Sequence, residues 1–116
     1  MELQSFHGIA DVDVGPFKPK PTTLTEGQSE ASVVLWKSQD GRERVGVWEC
    51  TPGRFTADRS KEAELCWIVS GKAVLRRSDG EVRTLGPGDV LILPRGWRGE
   101  WEIVETTRKV FTVVSG

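Results

Sequence analysis

From residue 31 onward, turn-forming residues cut the chain into short apolar runs that recur roughly every eight to twelve residues. A chain divided this way has no room for long helices. It builds antiparallel strands joined by tight turns, packed as a sandwich or closed as a barrel. Eight runs read as strands: residues 31–37, 44–50, 64–70, 72–78, 81–85, 89–93, 100–105 and 107–114. Ser78-Asp79-Gly80-Glu81 reads as a hairpin with a primed turn, because Asp-Gly tolerates the positive φ angles such a turn demands. Gly86-Pro87-Gly88-Asp89 fits a type II turn, with Pro87 presetting one φ and Gly88 supplying the other. No window carries a helical period, and no internal repeat is present. The expected class is all-β.

With 116 residues, the chain is expected to form one domain, since domains most often hold roughly 100–150 residues. Residues 1–30 differ from the rest. Gly15, Pro16, Pro19, Pro21 and Gly27 interrupt any period, and Thr22, Thr23, Thr25 and Ser29 add loop character. We read 1–30 as an N-terminal arm, with a short edge strand near residues 8–14, and 31–116 as the barrel. An arm of this composition buries little surface alone and is expected to lie against the barrel or a partner subunit.

The net charge of -1 gives no basic surface for nucleic acid. No apolar run reaches the roughly 20 residues of a membrane span, and no charged-then-apolar leader opens the chain. A soluble cytoplasmic protein is the expectation. Cys50 and Cys66 lack C-x-x-C spacing and read as free, buried side chains. Neither has a histidine placed to generate a thiolate. Large apolar area is concentrated in five tryptophans and four phenylalanines, with no tyrosine. Trp36, Trp48, Trp67 and Trp97 are more rings than a small core readily holds, so some are expected at an interface.

The spacings Glu64-x6-Gly71 and Gly88-x5-Pro94-x-Gly96 resemble the scaffold of the two cupin motifs. Glu64-Leu-Cys-Trp-Ile-Val-Ser-Gly71, Gly86-Pro-Gly-Asp89, the stretch from Pro94 to Ile103 and Thr107-Arg108-Lys109 are similar to the ureidoglycine aminohydrolase-type cupin family. The resemblance covers roughly residues 30–114. It implies a double-stranded β-helix, the cupin (RmlC-like) jelly-roll barrel. Proteins of this kind include small stand-alone domains, ethanolamine-utilisation accessory proteins and manganese-dependent aminohydrolases of ureide breakdown.

In metal-bearing cupins the first motif supplies two histidines and a glutamate, and the second supplies another histidine. Here Glu64 holds the carboxylate position. The two histidine positions fall on Ala57 and Arg59 or on Asp58 and Ser60, and the third falls on Gly99. His7, the one histidine, lies in the arm and matches no motif position. No metal or other cofactor is therefore expected; the alternative is manganese or zinc near Glu64, completed by Asp58, Glu62 or Cys66, or by His7 from another subunit. Iron dioxygenase chemistry lacks its ligands, and epimerase chemistry of related barrels lacks its His and Tyr.

Alternation along a strand places Cys66 on the face of Glu64, and Trp101 on the face of Gly99. The candidate ligand-binding residues are Arg59, Glu64, Cys66 and Trp101. Arg59 is placed to pair with Glu64 or to take a small carboxylate bidentately, with Arg54 and Lys61 adding to a positive rim. No catalytic residue is assigned. The expected function is binding of a small organic ligand, an anion being one option, in the barrel of a homodimer without a tightly bound metal; the other reading of Arg59, Arg54 and Lys61 is a solvated basic loop. The alternatives are a metal-dependent enzyme of ureide or ethanolamine metabolism, and a non-catalytic accessory or structural subunit.

Overall fold

The computed structural model describes residues 2–115. Among these, regular structure consists of one 3₁₀ turn and eight strands: β1 (Lys18–Pro19), β2 (Ser29–Lys37), β3 (Glu43–Cys50), β4 (Gly53–Asp58), β5 (Glu62–Arg76), β6 (Val82–Leu85), β7 (Val90–Leu93) and β8 (Arg98–Ser115). Every pairing is antiparallel.

Two long strands organise the barrel. β5 and β8 pair along nearly their whole length, and their register shifts between Ile68 and Ala73. There Gly71 adopts a φ of 92°, and a Cβ on it would stand 2.2 Å from the Thr106 carbonyl oxygen and 2.6 Å from Thr107 Cα. Only glycine allows that approach. The break lets each long strand leave one sheet and enter the other. The first half of β5 carries β7 on its free edge, while the second half of β8 carries β3, then β2 and β1. The second half of β5 carries β6, and the first half of β8 carries β4. The two sheets face each other as an antiparallel jelly-roll barrel.

The sequence pattern divided each long strand in two, at Gly71 and at Thr106, and both divisions fall on this bend. β4 was missed because only Phe55 and Ala57 are apolar in its six residues; those two side chains pack with the core. The Gly86–Asp89 turn has the expected form, with Gly88 at φ 89° and the Asp89 amide donating to the Gly86 carbonyl at 3.1 Å. The other hairpin is not a primed turn. Glycine alone takes positive φ among the described residues, so Gly80 (φ 96°) closes a turn that starts at Arg77. Asp79 instead accepts the Glu81 amide through its side chain at 3.0 Å.

The core lies between the sheets and is built on Trp48, Phe55, Ile68, Leu75, Trp101 and Ile103. A second cluster, Val14, Ala31 and Val47 with Ile9 and Val12 against it, covers the outer face of β2 and β3. The arm therefore lies on its own barrel. The edge strand expected near residues 8–14 is instead a 3₁₀ turn, Ile9–Asp11. Arg108 explains this: its Nη1 donates to the carbonyls of Ile9 (2.9 Å) and Val12 (2.7 Å), and its Nε to Glu49 (2.8 Å). A guanidinium thus takes up backbone acceptors that would otherwise seek a β-ladder.

Of the tryptophans, Trp48, Trp97 and Trp101 are core residues and Trp36 is half-buried. Trp67 is 55% exposed on the outer face of β5, beside exposed Leu65, Val90, Ile92 and Val114.

Candidate functional site

One end of the barrel holds a cavity of about 200 Å³, walled by residues of β2, β3, β4, β5 and β8 and by Lys20 of the arm. Alternation on β5 sends Glu64, Cys66 and Ile68 inward, all buried. On β8, past the bend, Thr107 and Lys109 are buried on the inward face, with Phe111 following. Lys109 lies in register with Trp48 of β3 on one side and Ile68 of β5 on the other. Its ammonium is thereby delivered to the centre of the barrel.

There it is held by three groups. Nζ donates to Glu64 Oε2 at 2.7 Å and sits 4.4 Å and 4.5 Å from the ring centroids of Trp48 and Trp101. Two indole faces and one carboxylate make a cation site, with the lysine as its own occupant. The aromatic walls are themselves locked: Phe55 stacks on Trp101 at 5.9 Å, and Trp48 meets both edge-on. The other carboxylate oxygen of Glu64 faces Arg59 Nη1 at 3.3 Å, and the Cys66 thiol donates to Oε2 at 2.8 Å.

These contacts set the protonation states. Burial alone would push the Glu64 carboxyl up. The Lys109 charge, the hydrogen bonds from Cys66 and Lys109, and the Arg59 charge outweigh it and hold the carboxyl below its ordinary 4.5. Burial likewise opposes charge on Lys109, but Glu64 holds it above its ordinary 10.5. Burial pushes both Cys50 and Cys66 up to about 12, so both are thiols at neutral pH. Neither a thiolate nor a free amine is on offer as a nucleophile.

Arg59 is positioned by its backbone, whose amide donates to the Trp97 carbonyl (2.8 Å) and whose carbonyl accepts from Gly96 (2.9 Å). Its guanidinium lies 3.3 Å from Glu64 and 3.7 Å from Glu62. Its Nε–H is buried without an acceptor among the described residues, a state that costs about 1–3 kcal/mol. At the mouth, Lys20 pairs with Glu30 (3.0 Å), which also accepts the Trp48 indole N–H (2.8 Å), and Arg44 pairs with Glu62 (3.3 Å).

Of the residues singled out from sequence, Arg59, Glu64 and Trp101 line this cavity, while Cys66 stands behind Glu64 rather than on the wall. Arg54 and Lys61 do not join them. Arg54 turns outward to Glu100 at 3.0 Å, and Lys61 is exposed. His7 lies exposed in the arm, paired with Ser5. Sequence reasoning missed Lys109 and Trp48. Along β8 both alternating sets carry apolar residues, Phe111 and Val113 on one and Val110 and Val114 on the other, so periodicity did not say which face was inner. The signal available was the opposite charge: a lysine in phase with Phe111 faces a glutamate in phase with Ile68.

A divalent ion does not fit this residue set. Of the two alternative placements for the first-motif histidines, the inward one is Ala57 and Arg59, a methyl group and a cation. At Gly99 a Cβ would stand 2.5 Å from the Trp97 ring and 2.5 Å from the Arg76 carbonyl oxygen, so the indole fills the place of the third histidine. Asp58 faces Arg98 (3.3 Å), and Glu62 is engaged by Arg44 and Arg59. No group of three metal-ligating side chains exists among the described residues.

A jelly roll with this motif spacing is the architecture of a cupin barrel. The chain belongs to the EutQ-like cupin domain family, which matches residues 37–111. A putative ethanolamine utilization protein Q from Salmonella typhimurium superposes with a TM-score of 0.69 at 20% identity, over 85% of this chain and 78% of that one. A protein of unknown function from Rhizobium leguminosarum superposes over 100% of both chains with a TM-score of 0.73 at 18% identity. A DUF861-family protein of unknown function from Pseudomonas syringae gives 0.74 at 24% identity, over 87% of this chain and 45% of that one. At such identities these likenesses establish the fold. No curated protein matches the chain.

The Glu64 pKa has a measurable consequence. A carboxyl held below its unfolded value contributes stability above about pH 4.5 and loses it as pH falls through the folded value. At pH 7, Glu64→Gln leaves Lys109 buried without a counter-charge and is expected to cost roughly 3–5 kcal/mol. In urea titrations at successive pH values, the gap between wild type and variant should narrow below pH 4.5. A constant gap down to pH 2 would contradict this assignment.

Proposed function

We propose that this barrel binds a small organic anion, without a metal ion, in the cavity beside Lys109 and Arg59. The observation that carries the reading is the state of Arg59, a cavity-lining and partly exposed guanidinium that reaches Glu64 and Glu62 only at 3.3 and 3.7 Å and makes no side-chain hydrogen bond among the described residues. Guanidinium offers five donors in a planar fork suited to a carboxylate. Lys109 adds a fixed positive charge in a site of low dielectric, where an anion is attracted more strongly than in water.

The ureidoglycine aminohydrolase-like reading requires manganese, and the positions of its ligands carry Ala57, Arg59 and Gly99. The ethanolamine link rests on membership of the EutQ-like family and on likeness to the Salmonella ethanolamine utilization protein Q. With four cations against three carboxylates around it, the site disfavours a free aminoalcohol cation, so in that setting the domain would handle an acid or serve as an accessory subunit.

Trp48 and Trp101 line the cavity, so their fluorescence reports its occupancy. EDTA-dialysed protein titrated with sodium propionate and sodium benzoate is expected to show a saturable change that added manganese does not alter. A response that appears only with manganese, or that the corresponding alcohols reproduce, would overturn the proposal.

We also propose a two-fold homodimer through the outer face of β5 and β7. Outward positions there, with the end of β8, carry Leu65, Trp67, Val90, Ile92 and Val114, all substantially exposed. No charge interrupts them in a chain that is 28% charged. An uncharged apolar face meets its own copy without like-charge cost. Light scattering should give twice the chain mass at tens of micromolar, and Ile92→Lys should give a monomer. A wild-type monomer at that concentration would refute the dimer.

A further inference from the structure

We infer that the cavity selects a compact monocarboxylate, bound by its single charge to Arg59 with its apolar body against the aromatic wall; this rests on the anion-binding reading above. Three independent features narrow the class. The first is charge. Four cations line the cavity, Lys20, Arg44, Arg59 and Lys109. Three carboxylates answer them, Glu30 on Lys20, Glu62 on Arg44 and Arg59, and Glu64 on Lys109 and Arg59. Four against three leaves one positive charge unmatched, and one carboxylate neutralises it. A second carboxylate would enter a partly desolvated site with every remaining cation already committed.

The second feature is where the unmatched charge resides. Lys109 has a hydrogen bond at 2.7 Å, and Lys20 a close pair at 3.0 Å. Arg44 donates to both oxygens of Glu62. Arg59 touches Glu62 and Glu64 only at 3.7 and 3.3 Å, and it makes no side-chain hydrogen bond among the described residues. The ligand carboxylate therefore goes to Arg59, which binds without breaking a good bond elsewhere.

Size and wall chemistry are the third. A volume of about 200 Å³ lies below the roughly 300–1,000 Å³ of sites for drug-sized ligands. Beyond Arg59 the wall continues as Ala57, Phe111 and Val113, with the Ser32 hydroxyl as its one neutral aliphatic polar group. Such a wall rewards a compact hydrocarbon body and penalises a second polar group left without partners.

The test is calorimetric titration of the wild-type protein with benzoate, succinate and benzyl alcohol, repeated for Arg59→Lys. Lysine keeps the charge beside Glu62 and Glu64 and removes the fork, so the barrel retains its counter-ion, which near-ultraviolet circular dichroism verifies. Benzoate should bind at least roughly tenfold tighter than succinate, benzyl alcohol should give no heat, and Arg59→Lys should weaken benzoate by about tenfold or more. Succinate binding as tightly as benzoate overturns the monocarboxylate class and leaves the anion reading standing. Unaltered benzoate binding by Arg59→Lys overturns the assignment of the anchor. Binding of benzyl alcohol equal to that of benzoate, or no binding of either acid, defeats the anion reading and this inference with it.

Discussion

The barrel is organised around a buried ion pair between Lys109 and Glu64. Buried charges are expensive, and a pair like this persists only when each partner is fully answered. Here Lys109 has a carboxylate and two indole faces, and Glu64 has an ammonium, a thiol donor and a guanidinium. The consequence is chemical. The cation at the centre of the barrel is a side chain, which cannot dissociate and cannot change redox state. Arg59 is the cavity-lining group left partly unanswered among the described residues.

Glu64 and Lys109 meet because they share the inward face of one β5–β8 ladder, and the bend beyond it brings Trp101 of the facing sheet onto Lys109. β5 brings Glu64 in before Gly71, and β8 brings Trp101 in before Thr106 and Lys109 after it. The 2.2 Å approach that a Cβ at Gly71 would make to Thr106 shows how closely the backbones cross there. Without that bend, Trp101 and Lys109 would lie eight residues apart along one straight strand, with no common cavity. Trp97, folded over Gly99, closes the opposite side. Arg108, one residue from Lys109, turns the other way and ties the arm to the outer face. Neighbouring residues on one strand thus serve the inside and the outside of the barrel.

Much of the fold was legible because turns are local chemistry. Gly86-Pro87-Gly88-Asp89 does what its residues individually prefer, and the apolar runs mark strands wherever one face is well filled. β4 escaped notice because its inward face holds only Phe55 and Ala57. The primed turn at residues 78–81 was misread since Gly80 alone can supply the positive φ, starting the turn one residue earlier. At the site, Glu64 and Arg59 stood out by replacing or retaining expected ligands. Lys109 did not, because a charged residue on a strand ordinarily points to solvent. Its inward direction is the phase of Trp101 and Ile103 carried unbroken across the bend, a signal that its charge obscured.

A double-mutant thermodynamic cycle on Lys109 and Glu64 tests this account most directly. Urea unfolding at pH 7 of Lys109→Met, Glu64→Gln and the double variant should show each single change costing roughly 3–5 kcal/mol, because each strands a buried charge. The double variant should cost far less than the two together, since both charges are then gone. If the two effects simply add, the residues do not interact, and the side-chain cation at the centre of the barrel is not held as described.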